Sequence, residues 1–120
     1  MQLERPPITE FSVHVAPLAE GGTDIAIFGE LDLATVQRVQ AAVDVGLAAE
    51  GPVVIDMRAC GFVDSSGIAV IVKAALRLRE QDRQLVIRGV QDRVQRILDV
   101  SGLTSSGLLS VEPEQRAPAA

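Results

Sequence analysis

VVIDMRACGFVDSSGIAVIV, residues 53–72, sets two apolar runs on either side of a polar, glycine-bearing middle. The first run, VVIDM at 53–57, is branched and nearly unbroken, the pattern of a fully buried strand. The second opens a segment, Ile68–Glu80, that is too long for a strand and apolar all round in its first turns. It reads as a helix covered on several sides. Only its end, with Lys73, Arg77, Arg79 and Glu80, meets water, and basic residues there suit the negative end of the helix dipole. A buried strand that leads through a loop, RACGFV at 58–63, into a helix is half of a βαβ unit and places the chain among α/β folds.

The flanking sequence extends that unit. FSVHVAPL alternates, with Phe11, Val13 and Val15 on one face and Ser12, His14 and Ala16 on the other, as a half-buried strand does. Gly21 and Gly22 turn the chain into TDIAIFGELD, a deeper strand with a continuous apolar centre, and so short a connection favours an antiparallel hairpin. From Leu33 to Ala49 the period changes: Val36, Val39, Val43 and Leu47 form the apolar stripe of a helix, with Asp32 as an N-cap candidate and Gly51-Pro52 as its stop. RQLVIRG at 83–89 gives a fourth strand. QDRVQRILDVSG gives a third helix, with Val90, Val94, Ile97 and Leu98 on one stripe and Gly102 ending it. LLSVE is a short final strand. The order β-β-α-β-α-β-α-β implies a mixed four- to five-stranded sheet with right-handed crossover helices, an α/β sandwich. It forms one domain over 11–112, between flexible tails at 1–10 and 113–120.

Composition narrows the function. Nearly half the residues are apolar (48%), yet Trp and Tyr are absent, so Val, Ile, Leu and Ala must build the core. A net charge of −5 argues against a nucleic-acid partner, since phosphate backbones are bound by clustered Lys and Arg. Cys60 stands alone, which excludes an intrachain disulfide and CxxC motifs; it reads as a small core or loop residue. MQLERPPITE carries no apolar h-region and no run is long enough to span a bilayer, so cytoplasmic residence is expected.

The middle of the opening stretch is where chemistry would sit, because open α/β sheets place ligand sites at the carboxyl ends of their strands. Asp64 is an N-cap candidate, its carboxylate accepting from the N–H of Ser66 or Gly67. Ser65 and Ser66 take the first helical positions, and Gly67 permits close packing. DSSG read plainly is a helix start and nothing more. Read as a switch, a phosphoryl group on a hydroxyl here meets free N–H donors and the positive end of the helix dipole. It adds a charge of about −1.5 to −2, which any partner docked over the helix start would feel. SSG recurs at Ser105, Ser106 and Gly107, without a preceding carboxylate or a following apolar helix, and reads as a turn.

FVDSSGIAVIV resembles the phosphorylation motif of bacterial anti-sigma-factor antagonists, in the STAS-domain family. FGELD at Phe28–Asp32 is similar to the family's GELD motif after its second strand, and VSGL at Val100–Leu103 to its SGL motif. The resemblance covers roughly Phe11 to Val111 and implies the STAS fold. It also implies a non-enzymatic switch without cofactor or metal. The unphosphorylated protein would bind an anti-sigma factor, itself a serine kinase, and so release a sigma factor; a PP2C-type phosphatase would reverse the modification. Carried onto this chain, the acceptor is Ser65, Asp64 caps and orients it, and Ser66 and Gly67 shape the helix start. Gly29, Glu30, Leu31 and Asp32 match a loop on the docking face. The chain departs from the family at its end, where VEPEQRAPAA replaces a closing helix and would leave part of the sheet or helix layer exposed.

Other readings fare differently. A serine nucleophile needs a base, yet the only histidine, His14, falls on the polar face of the first strand. No GxSxG elbow or Walker loop is present. Carboxylates 30, 32, 56 and 64 lie scattered over strand ends without imidazole support, which argues against a metal. A constitutive adaptor remains open: STAS-like domains also serve phospholipid-transport complexes, anion-transporter tails and stressosome-like scaffolds, docking a partner without a phosphate cycle.

Overall fold

Gly21 and Gly22, with φ of 98° and 108°, take backbone conformations that favour glycine and reverse the chain. The Leu18 N–H donates to Gly22 O, and the Gly21 N–H to Leu18 O, each at 3.0 Å. The turn joins β1 (Ser12–Pro17) to β2 (Thr23–Leu31) as the expected antiparallel hairpin. The computed structural model describes residues 10–113, so all but the inner end of each expected tail, and the question of a closing helix, lie outside the described residues.

Beyond the hairpin come α1 (Val36–Ala48), β3 (Val53–Val63), α2 (Ser65–Glu80), β4 (Leu85–Val90), α3 (Asp92–Val100) and β5 (Ser110–Pro113). The five strands lie in sequence order, β1-β2-β3-β4-β5, with every pair after the hairpin parallel. Right-handed crossovers between strands laid down in sequence order put each helix on the same face of the sheet. The core is correspondingly one-sided and aliphatic, with Ile25, Ile27, Leu31, Ile55, Met57, Ile71, Leu78, Ile87 and Leu98 fully buried in one cluster.

One-sidedness bears on two readings. β2 is not buried through its centre: Ile25, Ile27 and Leu31 are sealed, while Ala26 is half-buried and Phe28 and Glu30 are exposed. VVIDM is buried throughout, as expected, although no described helix covers the second face. There Asp56, 8% exposed, lies under the Arg58 guanidinium, which donates from Nη2 to Oδ2 at 2.7 Å and from Nε to Oδ1 at 3.1 Å. The Arg58 stem crosses Gly89, where a Cβ would collide with it.

RACGFV is not a loop. β3 runs for 11 residues because its pairing with β2 resumes after two irregularities. Ala26 to Phe28 advances two residues while Asp56 to Ala59 advances three, and Gly29 to Glu30 advances one while Cys60 to Phe62 advances two. Each step is a bulge of one extra residue on β3, which lets a polar, glycine-bearing stretch stay in the ladder.

Smaller departures have local causes. α1 begins at Val36 and not at Leu33, which is 76% exposed, and its N-cap is Thr35 instead of Asp32. Asp32 opens the preceding turn, its Oδ1 accepting from the Ala34 N–H at 3.0 Å. Val90 ends β4 and does not join the helical stripe. At the sheet edge, β1 leaves Val15 42% exposed. The second SSG is a turn, with Gly107 at φ 75° and the Ser106 hydroxyl donating to Leu103 O at 2.7 Å.

Candidate functional site

β2 and β3 end together. Leu31 pairs with Val63, and the next N–H, that of Asp64, donates to Leu31 O at 3.1 Å. From there the Asp64 carboxylate joins two segments. Its Oδ1 accepts from the Ser66 and Gly67 N–H groups at 2.9 and 3.1 Å, which caps α2. Its Oδ2 accepts from the Leu33 N–H at 3.2 Å, which ties the loop after β2 to the helix start. Gly67 completes the seam: it is buried, and a Cβ there would lie 2.6 Å from Leu31 Cγ and 3.0 Å from Leu31 O.

The structure therefore brings both predicted site segments into one surface. Ser65 is exposed at the first position of α2, and Ser66 beside it is half-buried. Gly29, at φ 103°, bends the end of β2, and Glu30 is exposed next to it. Gly29 and Gly67 are buried, and so is Leu31, whose part is to hold the seam from beneath. Thr35 fixes the loop: its hydroxyl donates to Glu30 O at 2.8 Å and accepts from the Asp32 N–H at 3.0 Å. A cavity of about 490 Å³ is lined by Gly29, Glu30, Asp32, Thr35 and Gln91 among others.

A phosphoryl group on Ser65 would find two of the helix-start donors expected from the sequence already engaged. The Ser66 and Gly67 donors are already taken by Asp64, whose carboxylate stands beside the hydroxyl as a like charge. The dipole remains. What the sequence reading missed lies across a groove of about 460 Å³ between the start of α2 and α3, where Ser65 and Ile68 face Arg96, Ile97 and Val100. Val100 is 89% exposed. The sequence places Ile97 on the core stripe and Val100 only in the SGL-like motif. The signal was present: at about 100° per residue, Val100 falls well off the stripe of Val94 and Leu98.

The remaining candidates for chemistry sit elsewhere. His14 packs edge-on against Phe28 of the sheet, with ring centroids 5.3 Å apart. Cys60 is fully buried and burial pushes its thiol pKa up, which makes it a poor nucleophile. Among the described residues no three His, Cys, Asp or Glu side chains are grouped to hold a metal ion, and no helix is long and apolar enough to cross a membrane.

A mixed sheet entered by an antiparallel hairpin, crossed by helices on one face and carrying an acid-capped serine at the start of α2, defines a STAS domain. The family model described as "Mlab, STAS domain" matches residues 16–110, and the chain belongs to that family. Among its relatives is the anti-sigma-B factor antagonist of Listeria monocytogenes serovar 1/2a, 37% identical over 82 residues, or 68% of this chain and 72% of the relative. Two solved structures share the fold. An anti-sigma factor antagonist from Mycobacterium paratuberculosis superposes with a TM-score of 0.76 at 19% identity, covering 87% of this chain and 86% of the other. The Bacillus cell fate determinant SpoIIAA in its phosphorylated form gives 0.65 at 18% identity, over 83% of this chain and 90% of that one.

Proposed function

We propose that this protein is an anti-sigma-factor antagonist whose binding is controlled by reversible phosphorylation of Ser65. The observation that carries the reading is the exposed hydroxyl of Ser65, set by the Asp64 cap on the same surface as Gly29–Asp32. The Listeria relative, which bears the antagonist name, supports the reading at 37% identity over 82 residues. In the unphosphorylated state the surface docks an anti-sigma factor that is itself a serine kinase, and a sigma factor is released. The γ-phosphoryl of ATP then passes to Ser65 Oγ: a P–O bond forms, the bond to the ADP leaving group breaks, and the hydroxyl proton goes to a base of the kinase. A PP2C-type phosphatase reverses the step by hydrolysis, returning the hydroxyl and inorganic phosphate. The added charge of about −1.5 to −2 lands beside Asp64 and repels the docked partner, while the capped seam beneath stays as it was.

The test is incubation with candidate anti-sigma kinases and ATP, followed by intact-mass measurement. One phosphoryl group should be gained, and Ser65→Ala should gain none. Ser65→Ala should bind the same kinase constitutively, and Ser65→Asp or Ser65→Glu poorly. No mass gain with any kinase, together with equal binding by all three variants, would favour the phosphate-independent adaptor. The MlaB name of the matching family model keeps that second reading in view.

A further inference from the structure

β1 and β5 are the two edges of the described sheet, and they are not alike. β5 is four residues long, ends on Pro113 and carries Glu112 in an ion pair with Arg88. Short length, proline and charge are the devices that keep an edge from pairing. β1 is six residues, SVHVAP, without a Lys, Arg, Asp or Glu, and Val15 on it is 42% exposed. In an antiparallel ladder, residues alternate between bonding their neighbour and turning their backbone groups away from it. The Leu18 N–H donates to Gly22 O at 3.0 Å, whereas Thr23, which faces Pro17, turns its N–H to Pro52 O at 3.0 Å. Pro17, Val15 and Val13 therefore present their backbone groups outward. Pro17 has no N–H to offer. At the other end of the strand, Phe11 O accepts from Arg38 Nη1 at 3.3 Å. Between these two stops stand Val13 and Val15, each with an outward N–H and C=O, on either side of His14.

We propose that β1 pairs with β1 of a second copy of this chain, antiparallel about a two-fold axis between the two His14 residues, to form a dimer with one continuous sheet. In that register Val13 of one protomer faces the partner's Val15, and every outward N–H of the two valines meets an outward C=O. The exposed Val15 packs against the partner's Val13 as a cross-strand pair. Centring the axis on Val15 would set Val13 against Pro17 and leave the Val13 carbonyl without a donor. Centring it on Val13 would set Val15 against Phe11, whose carbonyl Arg38 already holds. So small an interface makes a weak, concentration-dependent dimer. The pairing uses neither α2 nor the loop after β2, so it stands or falls separately from the switch reading of Ser65.

Two measurements on the full chain test this. Sedimentation equilibrium from about 10 µM to 1 mM should show wild type passing from monomer to dimer, as a small interface predicts. Val15→Pro removes an outward donor and no bond to β2, a position where edge strands tolerate proline. It should raise the dimer Kd about tenfold or more. Val15→Lys should do the same by charging the edge. Leu76→Lys, which charges a comparably exposed position on α2, should not. A monomeric wild type, unchanged dimerisation in both Val15 variants, or an equal loss in Leu76→Lys overturns the pairing. The second measurement reads the register. Facing residues of a non-hydrogen-bonded pair have Cα atoms about 4.5 Å apart, within disulfide reach. The native Cys60 is fully buried and does not compete. Under mild oxidation His14→Cys should cross-link into dimers and Ser12→Cys alone should not, while a mixture of Ser12→Cys and Ala16→Cys should. No cross-link by His14→Cys, or one by Ser12→Cys alone that forms as fast, overturns the register and with it the proposal.

Discussion

Ser65 owes its exposure to neighbours that are fixed from below. Asp64 takes three N–H groups with one carboxylate, so the hydroxyl next to it stands on a capped helix start and need not bond to the backbone itself. Gly67 sets how closely that start approaches β2. Alanine there would gain up to about 1 kcal/mol of helix propensity. It would also place a methyl group within 3.0 Å of the Leu31 carbonyl, a backbone atom that cannot swing aside, and overpacking of this kind costs about 1–3 kcal/mol. Gly67→Ala should therefore be less stable by roughly 1–2 kcal/mol in urea unfolding. A neutral or stabilising result would mean the seam is looser than the geometry requires. At this scale much of the site was legible. The Asp64 cap is legible, with Ser66 or Gly67 as its partner, since capping is a local matter of spacing; the structure shows both. Its third partner, Leu33, lies 31 positions away, and no local pattern announces such a bond.

Elements reveal where local patterns run out. The existence and type of every described helix and strand are legible in periodicity, but β3 reads as ending at Met57 because RACGFV alternates poorly. Its bulges are set by pairing with β2, a non-local property. The end of α1 shows the same limit. Its last turn contains no basic residue, yet its carbonyls are not left bare. Arg83, from the approach to β4, donates to Gly46 O at 2.7 Å, Leu47 O at 3.0 Å and Gly51 O at 2.9 Å. One guanidinium thus closes a helix and pins the turn that leads into β3. Arg83→Ala should cost about 2–3 kcal/mol, since hydrogen bonds from a charged group are each worth about 1.5–3 kcal/mol and water replaces part of the loss. Arg83→Lys should recover only a fraction, because an ammonium cannot reach the three carbonyls in a fork. Full stability in Arg83→Ala by denaturant titration would contradict this role.

For the molecule as a whole, the order of elements along the chain is legible in the sequence, but neither the strand order within the sheet nor the sharing of one face by the described helices is; VVIDM reads the same whether covered by helices or by arginine. The uncovered face has its own electrostatics. Burial pushes the Asp56 pKa up, but hydrogen bonds from the Arg58 side chain and backbone outweigh it and hold the carboxyl below its ordinary 3.8. A lowered carboxylate pKa adds stability above the unfolded value that is lost as pH falls through the folded one. Asp24 works in the opposite sense: burial and the Asp56 charge raise its pKa, so its ionisation is a cost at neutral pH that acid relieves. Wild type should therefore lose stability below about pH 4 through Asp56. Asp56→Asn should be less stable at pH 7 and should show a flatter fall between pH 5 and pH 2 (urea midpoints, roughly the range over which carboxylates titrate). An equally steep fall in the variant would place the acid sensitivity elsewhere.

All three scales converge on an exposed serine set on a hydrogen-bonded, closely packed seam. The direct measurement is calorimetric titration of the anti-sigma kinase into this protein with Ser65 free and with Ser65 phosphorylated, alongside the thermal unfolding of both forms. Binding should fall by at least about a hundredfold, or roughly 2.7 kcal/mol, on phosphorylation, with the melting transition essentially unchanged. Equal affinity of the two forms would contradict the switch, and so would a loss of affinity that arises only because the phosphorylated domain unfolds.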